Sequence, residues 1–139
     1  MKYMKISAPI ILFLIYLLPH TIQAHEPDHS YIILRINESS IDGRFEISYK
    51  DFNQELGFTL SEPLSQQSVD NVKNEIISFI KQEVSFASEI SDLPFIVKQV
   101  NAFEIDEEAD NVQIYFELEN IKTFPQSLQI EYRPFFERR

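Results

Sequence analysis

The sequence has 139 residues, with 12 Lys and Arg against 22 Asp and Glu, three His and no Cys. That length supports one core rather than two. The acidic balance argues against nucleic acid and anionic lipid as partners, and the lack of cysteine excludes disulfides, thiolate metal sites, cysteine catalysis and a lipoprotein anchor. At 44% hydrophobic residues with twelve Phe, the composition is that of a folded chain. Lys2 and Lys5 precede an apolar run over 8–18, Pro19 ends it, and a polar stretch leads to Ala24. This layout predicts a signal peptide over 1–24, cleaved after Ala24. The run is short against the roughly 20 residues that cross a bilayer. No second apolar run follows, so no membrane span is expected after cleavage. The expectation is a single extracytoplasmic domain over 25–139, periplasmic or secreted.

Residues 30–37 are rich in β-branched and aromatic side chains, with Ile32, Leu34 and Ile36 on one face. Residues 38–43 carry turn chemistry, sharpest at Asp42-Gly43. Over 44–50 the pattern alternates: Phe45, Ile47 and Tyr49 inward, Arg44, Glu46, Ser48 and Lys50 outward. Together these predict a β-hairpin over 30–50. Asp51 to Gly57 predicts one helical turn stopped by the glycine. Val69, Val72, Ile76, Phe79, Ile80 and Val84 recur at helical spacing. They predict an amphipathic helix over about 68–85, capped by Ser68 with Asp70 in its first turn. Strands are then expected over 95–105, 112–119 and 127–133, with Val112, Ile114, Phe116 and Leu118 on one face and Leu128, Ile130 and Tyr132 on another. The links are too short for crossover helices except across 68–85, so neighbouring strands run antiparallel. The fold class is α+β and mainly β: an antiparallel β-sandwich-like sheet with one amphipathic helix.

The stretch His29-Ser30-Tyr31, Leu34-Arg35, Ile41-Asp42-Gly43-Arg44-Phe45-Glu46-Ile47 and Lys50-Asp51-Phe52-Asn53-Gln54-Glu55-Leu56-Gly57-Phe58 resembles the extracytoplasmic N-terminal domain of HupE/UreJ-family membrane proteins. That domain opens after a signal peptide with a His, a Ser-Tyr strand and a Gly-Arg-containing second strand. An Asp-Leu-x-x-Ala-Leu-Gly-like turn follows, here with Phe52 for the first Leu and Glu55 for the Ala. The C-terminal Tyr132-Arg133-Pro134-Phe135-Phe136 also fits. Residues 58–67 depart from it, lacking the Asp/Gly-rich calcium-loop-like segment of many relatives. The relatives continue into a multi-span membrane part associated with nickel or cobalt uptake. No such spans occur in these 139 residues, so transport is not carried over. The resemblance implies an extracytoplasmic accessory domain, with a membrane or envelope protein as its partner.

The cluster richest in ligand atoms is His25-Glu26-Pro27-Asp28-His29. Cleavage after Ala24 makes His25 the first residue. Its α-amine and imidazole would then be placed to chelate one metal ion, as in the histidine brace of secreted copper proteins, with His29, Asp28 or Glu26 as further donors, a set that suits copper or nickel. The alternative reading is a solvated terminus with two ordinary histidines. Glu104, Asp106, Glu107, Glu108 and Asp110 form an acidic run without the glycine or the spacing of a calcium loop. It reads as a solvated hairpin loop. Asn37-Glu38-Ser39 is a glycosylation sequon, with no meaning in a bacterial host. Asp51 is the acid best placed for a structured role, which helix N-capping explains. Tyr132, Phe135 and Phe136 form a candidate docking patch. Catalysis has little support: no Gly-x-Ser-x-Gly is present, and Gly43 and Gly57 alone build no phosphate-cradling loop. The expected function is a non-enzymatic binding or accessory domain. The alternatives are a Cu(II)/Ni(II) carrier using His25 and, least supported, a hydrolase.

Overall fold

Alternation sets the architecture. In the computed structural model, which describes residues 30–61, 63–105 and 109–134, the inward rows of two central strands form the base of the core. Phe45 and Ile47 on one strand, and Val112, Ile114, Phe116 and Leu118 on the other, are all buried. The elements are β1 (Tyr31–Ile36), β2 (Ile41–Ser48), α1 (Tyr49–Leu56), α2 (Gln66–Asn71), α3 (Lys73–Glu83), β3 (Val84–Ser88), β4 (Phe95–Ile105), β5 (Ala109–Leu118) and β6 (Leu128–Tyr132). Four strands form an antiparallel sheet in the order β1-β2-β5-β4, and β3 pairs with β6 in a second, two-stranded sheet. The chain is therefore α+β and mainly β, with antiparallel sheets.

The helices and the small sheet meet one face of the large sheet. Phe86 of β3 lies 5.2 Å from the Phe116 ring and 5.5 Å from that of Phe95. Phe45 stacks on Phe116 at 4.5 Å and on Tyr132 at 6.3 Å. Val69, Ile76 and Ile80 from the helices complete the same cluster. Offset and edge-on aromatic pairs of this kind add roughly 1 kcal/mol each beyond the area they bury.

Local differences from the sequence reading have physical causes. The hairpin turns at 37–40, where the Asn37 N–H donates to the Ser40 carbonyl at 2.9 Å, and Asp42-Gly43 lies inside β2. Gly43 serves close approach instead: a Cβ there would collide with the Ile33 carbonyl oxygen and sit 3.0 Å from Phe116 Cζ. The expected helix over 68–85 starts earlier, breaks and stops sooner. Ser65 is the cap, its hydroxyl accepting from Ser68 N–H at 3.1 Å, while the Ser68 hydroxyl donates back to the Ser65 carbonyl at 2.7 Å. Val72 leaves the helical region, with φ −118° and ψ 11°, after Asp70 and Asn71, both weak helix formers. The helix ends at Glu83 because Val84 and Phe86 alternate into the core as β3, paired with Tyr132 and Ile130. Arg133 closes that end, its N–H donating to the Glu83 carbonyl (2.9 Å) and its Nη2 to that of Gln82 (3.4 Å), as a cation should at a helix C-terminus.

The turn expected at 51–57 is α1. Ser48 is its cap, accepting from Lys50 N–H, and Asp51 lies in the first turn. Gly57 ends it at φ 69°, donating to the Asn53 carbonyl. Left-handed backbone at that place is the usual work of glycine.

Candidate ligand-binding face

The opposite face of the large sheet carries the polar rows. Register aligns Tyr31, Glu46, Gln113 and Asn101 across the four strands, and Ile33, Arg44, Tyr115 and Gln99 in the next row. Ser48, Asn111 and Phe103 align in a third. Alternation sets Arg44, Glu46 and Ser48 on this outer face, where exposure to solvent is the expectation. Instead Glu46 is 8% exposed and Gln113 only 4%, with Ser48 and Asn111 also buried.

A linked set of hydrogen bonds accounts for how these groups are held. Glu46 Oε1 accepts from Arg44 Nε at 2.7 Å and from Gln113 Nε2 at 2.8 Å. Gln113 Oε1 in turn accepts from the Tyr115 hydroxyl at 2.9 Å. The donors run in one direction, from Tyr115 through Gln113 to the Glu46 carboxylate, so each bond polarises the next. Strand geometry makes this possible: Arg44 and Glu46 are two apart on β2, Gln113 and Tyr115 two apart on β5, and the two pairs face each other in register. The hydrogen bond to Glu46 is the main cause raising the Arg44 ionisation above its ordinary value, and the nearby negative charge adds to it against the cost of desolvation. Arg44 therefore stays a cation, its side chain 36% exposed, with guanidinium N–H groups beyond the one spent on Glu46. Around it the exposed side chains Tyr31, Ile33, Ile96 and Phe103 share the face. The result is a fixed ion pair with amide and phenol neighbours, set among apolar groups. It can orient a polar ligand or a partner's side chains.

His25, Asp28 and His29 lie outside the described residues. Among the described residues no three His, Cys, Asp or Glu side chains group to hold a metal. Of the acidic run, Glu104 pairs with Asp110 in the β4–β5 ladder, next to the Ile105–Ala109 pair, and 106–108 lie outside the described residues. Asn37 is used by its turn, its Nδ2 donating to Asp42 Oδ2 at 2.8 Å and to Ser40 Oγ at 3.1 Å. Tyr132 packs against the core beside Phe45 instead of forming a surface patch. Phe135 and Phe136 lie outside the described residues. Burial pushes the Tyr132 phenol above its ordinary ionisation; a hydrogen bond with Ser30 opposes this and the charge of Asp51 adds to it.

Several residues of the 30–58 stretch have structural work. Phe45, Ile47 and Phe52 are in the core. Asn53 holds the following loop, donating to the Leu60 carbonyl (2.7 Å) and accepting from its N–H (2.9 Å). Arg44 and Glu46 are the two that also face the polar network. The burial of Glu46 and Gln113 had one sequence signal: the outward row of β5 includes Asn111, Gln113 and Tyr115 in succession, uncharged groups where open solvent favours charge. No family model, curated protein or solved structure matches the chain.

Proposed function

We propose that this chain is an extracytoplasmic, non-enzymatic binding or accessory domain that engages an envelope partner through the outer face of its four-stranded sheet. The observation that carries this reading is the Arg44–Glu46–Gln113–Tyr115 network. Withdrawing a carboxylate from water costs several kcal/mol unless it is paired and hydrogen-bonded. An isolated sheet face has no need of that cost, because its core is on the other side. A binding face does, since fixed polar groups lose little freedom when a partner arrives. The likeness of residues 29–58 to HupE/UreJ-family soluble domains supports the same location and role. Photo-crosslinkers placed singly at Gln99, on this face, and at Lys81, on α3, test it in cells. Partner adducts from Gln99 and not from Lys81 are expected. Adducts from Lys81 alone, or equally from both, overturn the assignment of the face.

A second reading rests on His25-Glu26-Pro27-Asp28-His29. With His25 at the mature N-terminus, amine and imidazole donors would hold Cu(II) or Ni(II), and the protein would carry that metal. Titration of the exported protein against a competing chelator, beside His25→Ala, decides it. One-to-one binding lost in the variant supports the carrier; binding of equal strength in both removes it.

A further inference from the structure

The two edges of the large sheet are finished differently. At the β4 edge the carboxamide of Gln66, from α2, stands where another strand would. Its Nε2 donates to the Val100 carbonyl at 3.1 Å and its Oε1 accepts from the Ala102 N–H at 2.9 Å. The same strand carries a bulge between Val97 and Gln99, with Lys98 reaching Glu117 at 2.9 Å. A covering helix, a bulge and a lysine are devices that keep an edge strand from pairing with another chain. Among the described residues β1 has none of the three. It keeps unbroken register with β2 from Tyr31↔Glu46 to Ile36↔Ile41. It contains three isoleucines and no proline. Its one charge, Arg35, is matched by Asp42 at 2.7 Å. Tyr31, Ile33 and Ile36 are 45%, 39% and 66% exposed.

We propose that the β1 edge is a self-association surface, at which a second copy of this chain adds its own β1 antiparallel and joins two four-stranded sheets into one of eight. The strand is complementary to itself, which is what selects a second copy as the occupant. The Asn37 N–H to Ser40 bond marks those two residues as a hydrogen-bonded pair. By the alternation of an antiparallel ladder, Tyr31, Ile33 and Arg35 then direct their backbone groups to β2, and Ile32, Leu34 and Ile36 direct theirs to the open edge. A two-fold axis at Ile33 brings Ile33 of both copies together. It pairs Ile32 of one with Leu34 of the other through the backbone. It also sets each Tyr31 ring opposite the partner's Arg35, a cation–aromatic pair. Such a contact uses the same patch on both copies and closes at two. The chain's net charge of −10 opposes the approach, while the strand itself is neutralised locally. Added salt should therefore tighten the dimer by screening the repulsion, whereas a basic partner docked by charge would be released.

The test is sedimentation of the exported protein, with its N-terminus confirmed by mass, at low and high salt. Beside it run Ile33→Glu and two single-cysteine variants, Ile33→Cys and Ile96→Cys. Ile33→Glu faces Arg44 within its own hairpin but opposes its own copy at the axis. The expected loss is roughly tenfold or more in dimer affinity, with the circular dichroism of the wild type. The cysteines need no background correction, because the chain has none. Residues facing each other at a non-hydrogen-bonded antiparallel position have Cα atoms about 4.5 Å apart, inside disulfide range. Ile33→Cys should therefore link into a dimer under mild oxidation, and Ile96→Cys, on the far edge strand, should not. A monomer at every concentration, with no link through Ile33→Cys, overturns the proposal. So does a dimer that survives Ile33→Glu or links equally through Ile96→Cys.

Discussion

Replacing Gly43 with alanine separates a steric requirement from a conformational one. Alanine ordinarily stabilises a strand interior against glycine, by roughly 0.5–1 kcal/mol through the unfolded chain. Here the added methyl would meet the Ile33 carbonyl oxygen well inside contact distance, and Phe116 Cζ at 3.0 Å. The ring can lean away, but the carbonyl belongs to a strand paired with β2 and shifts only by disturbing that ladder. Forcing a methyl into packed structure costs roughly 1–3 kcal/mol, and a weakened ladder bond about 1 more. The net expectation is a loss of about 1–3 kcal/mol. At roughly 4–8 °C per kcal/mol for a domain of this size, the melting temperature falls by about 10 °C. Urea unfolding followed by circular dichroism reads it directly; Tyr31, Tyr49, Tyr115 and Tyr132 give a second probe for two-state behaviour. The double variant Gly43→Ala with Phe116→Leu should recover little beyond the separate cost of Phe116→Leu, since the backbone and not the ring is the main obstacle. A Gly43→Ala protein as stable as the wild type, or more so, would refute the reasoning.

Gly57→Ala should cost only about 1 kcal/mol, because the space around it is open and the penalty comes from φ 69° alone; Gly57→Asn should recover part of that in the same urea series. Glu46→Ala should lower stability by roughly 1–3 kcal/mol by leaving Gln113 and Arg44 without their shared acceptor, and Glu46→Gln, which keeps the acceptor but not the charge, should cost less. Tyr132 supplies a pH test. Its folded ionisation lies above the ordinary 10.0, so the folded state holds the phenolic proton more tightly than the unfolded chain. The stability this brings is complete below about pH 10 and is lost as pH rises through the folded value. Unfolding midpoints measured across that window should show a decline that Tyr132→Phe makes shallower; an identical slope in both proteins would remove the assignment.

What was legible in the sequence was periodic. Phe45 and Ile47 alternate in one strand, and Val112 to Leu118 in another, and both rows are buried as read. β4 occupies the 95–105 stretch that follows Pro94. Gly57 stops a helix because a left-handed residue there is a local requirement. Where reading failed, two patterns coincided or the cause lay far along the chain. Val84 stands four residues after Ile80, so it extends a helical stripe and begins a strand equally well, and only pairing with β6 decides between them. Asp42-Gly43 reads as a turn because turns are the commonest use of that dipeptide, yet Gly43 answers to Ile33 and Phe116. The outward direction of Glu46 was legible from alternation. Its burial was not, because Gln113 reaches it from 67 positions along the chain.

The Gln66 bridge to β4 has a kinetic consequence. The amide of Ala102 belongs to a sheet strand, but its acceptor is a helix side chain. Release of α2 frees that one proton to solvent while the pairing of β4 with β5 stays intact. Its neighbours bonded within the sheet stay closed until the strands themselves part. Hydrogen exchange at Ala102 is thus a clock for the helix, set inside the sheet, and its lag or lead against those neighbours tells which opens first.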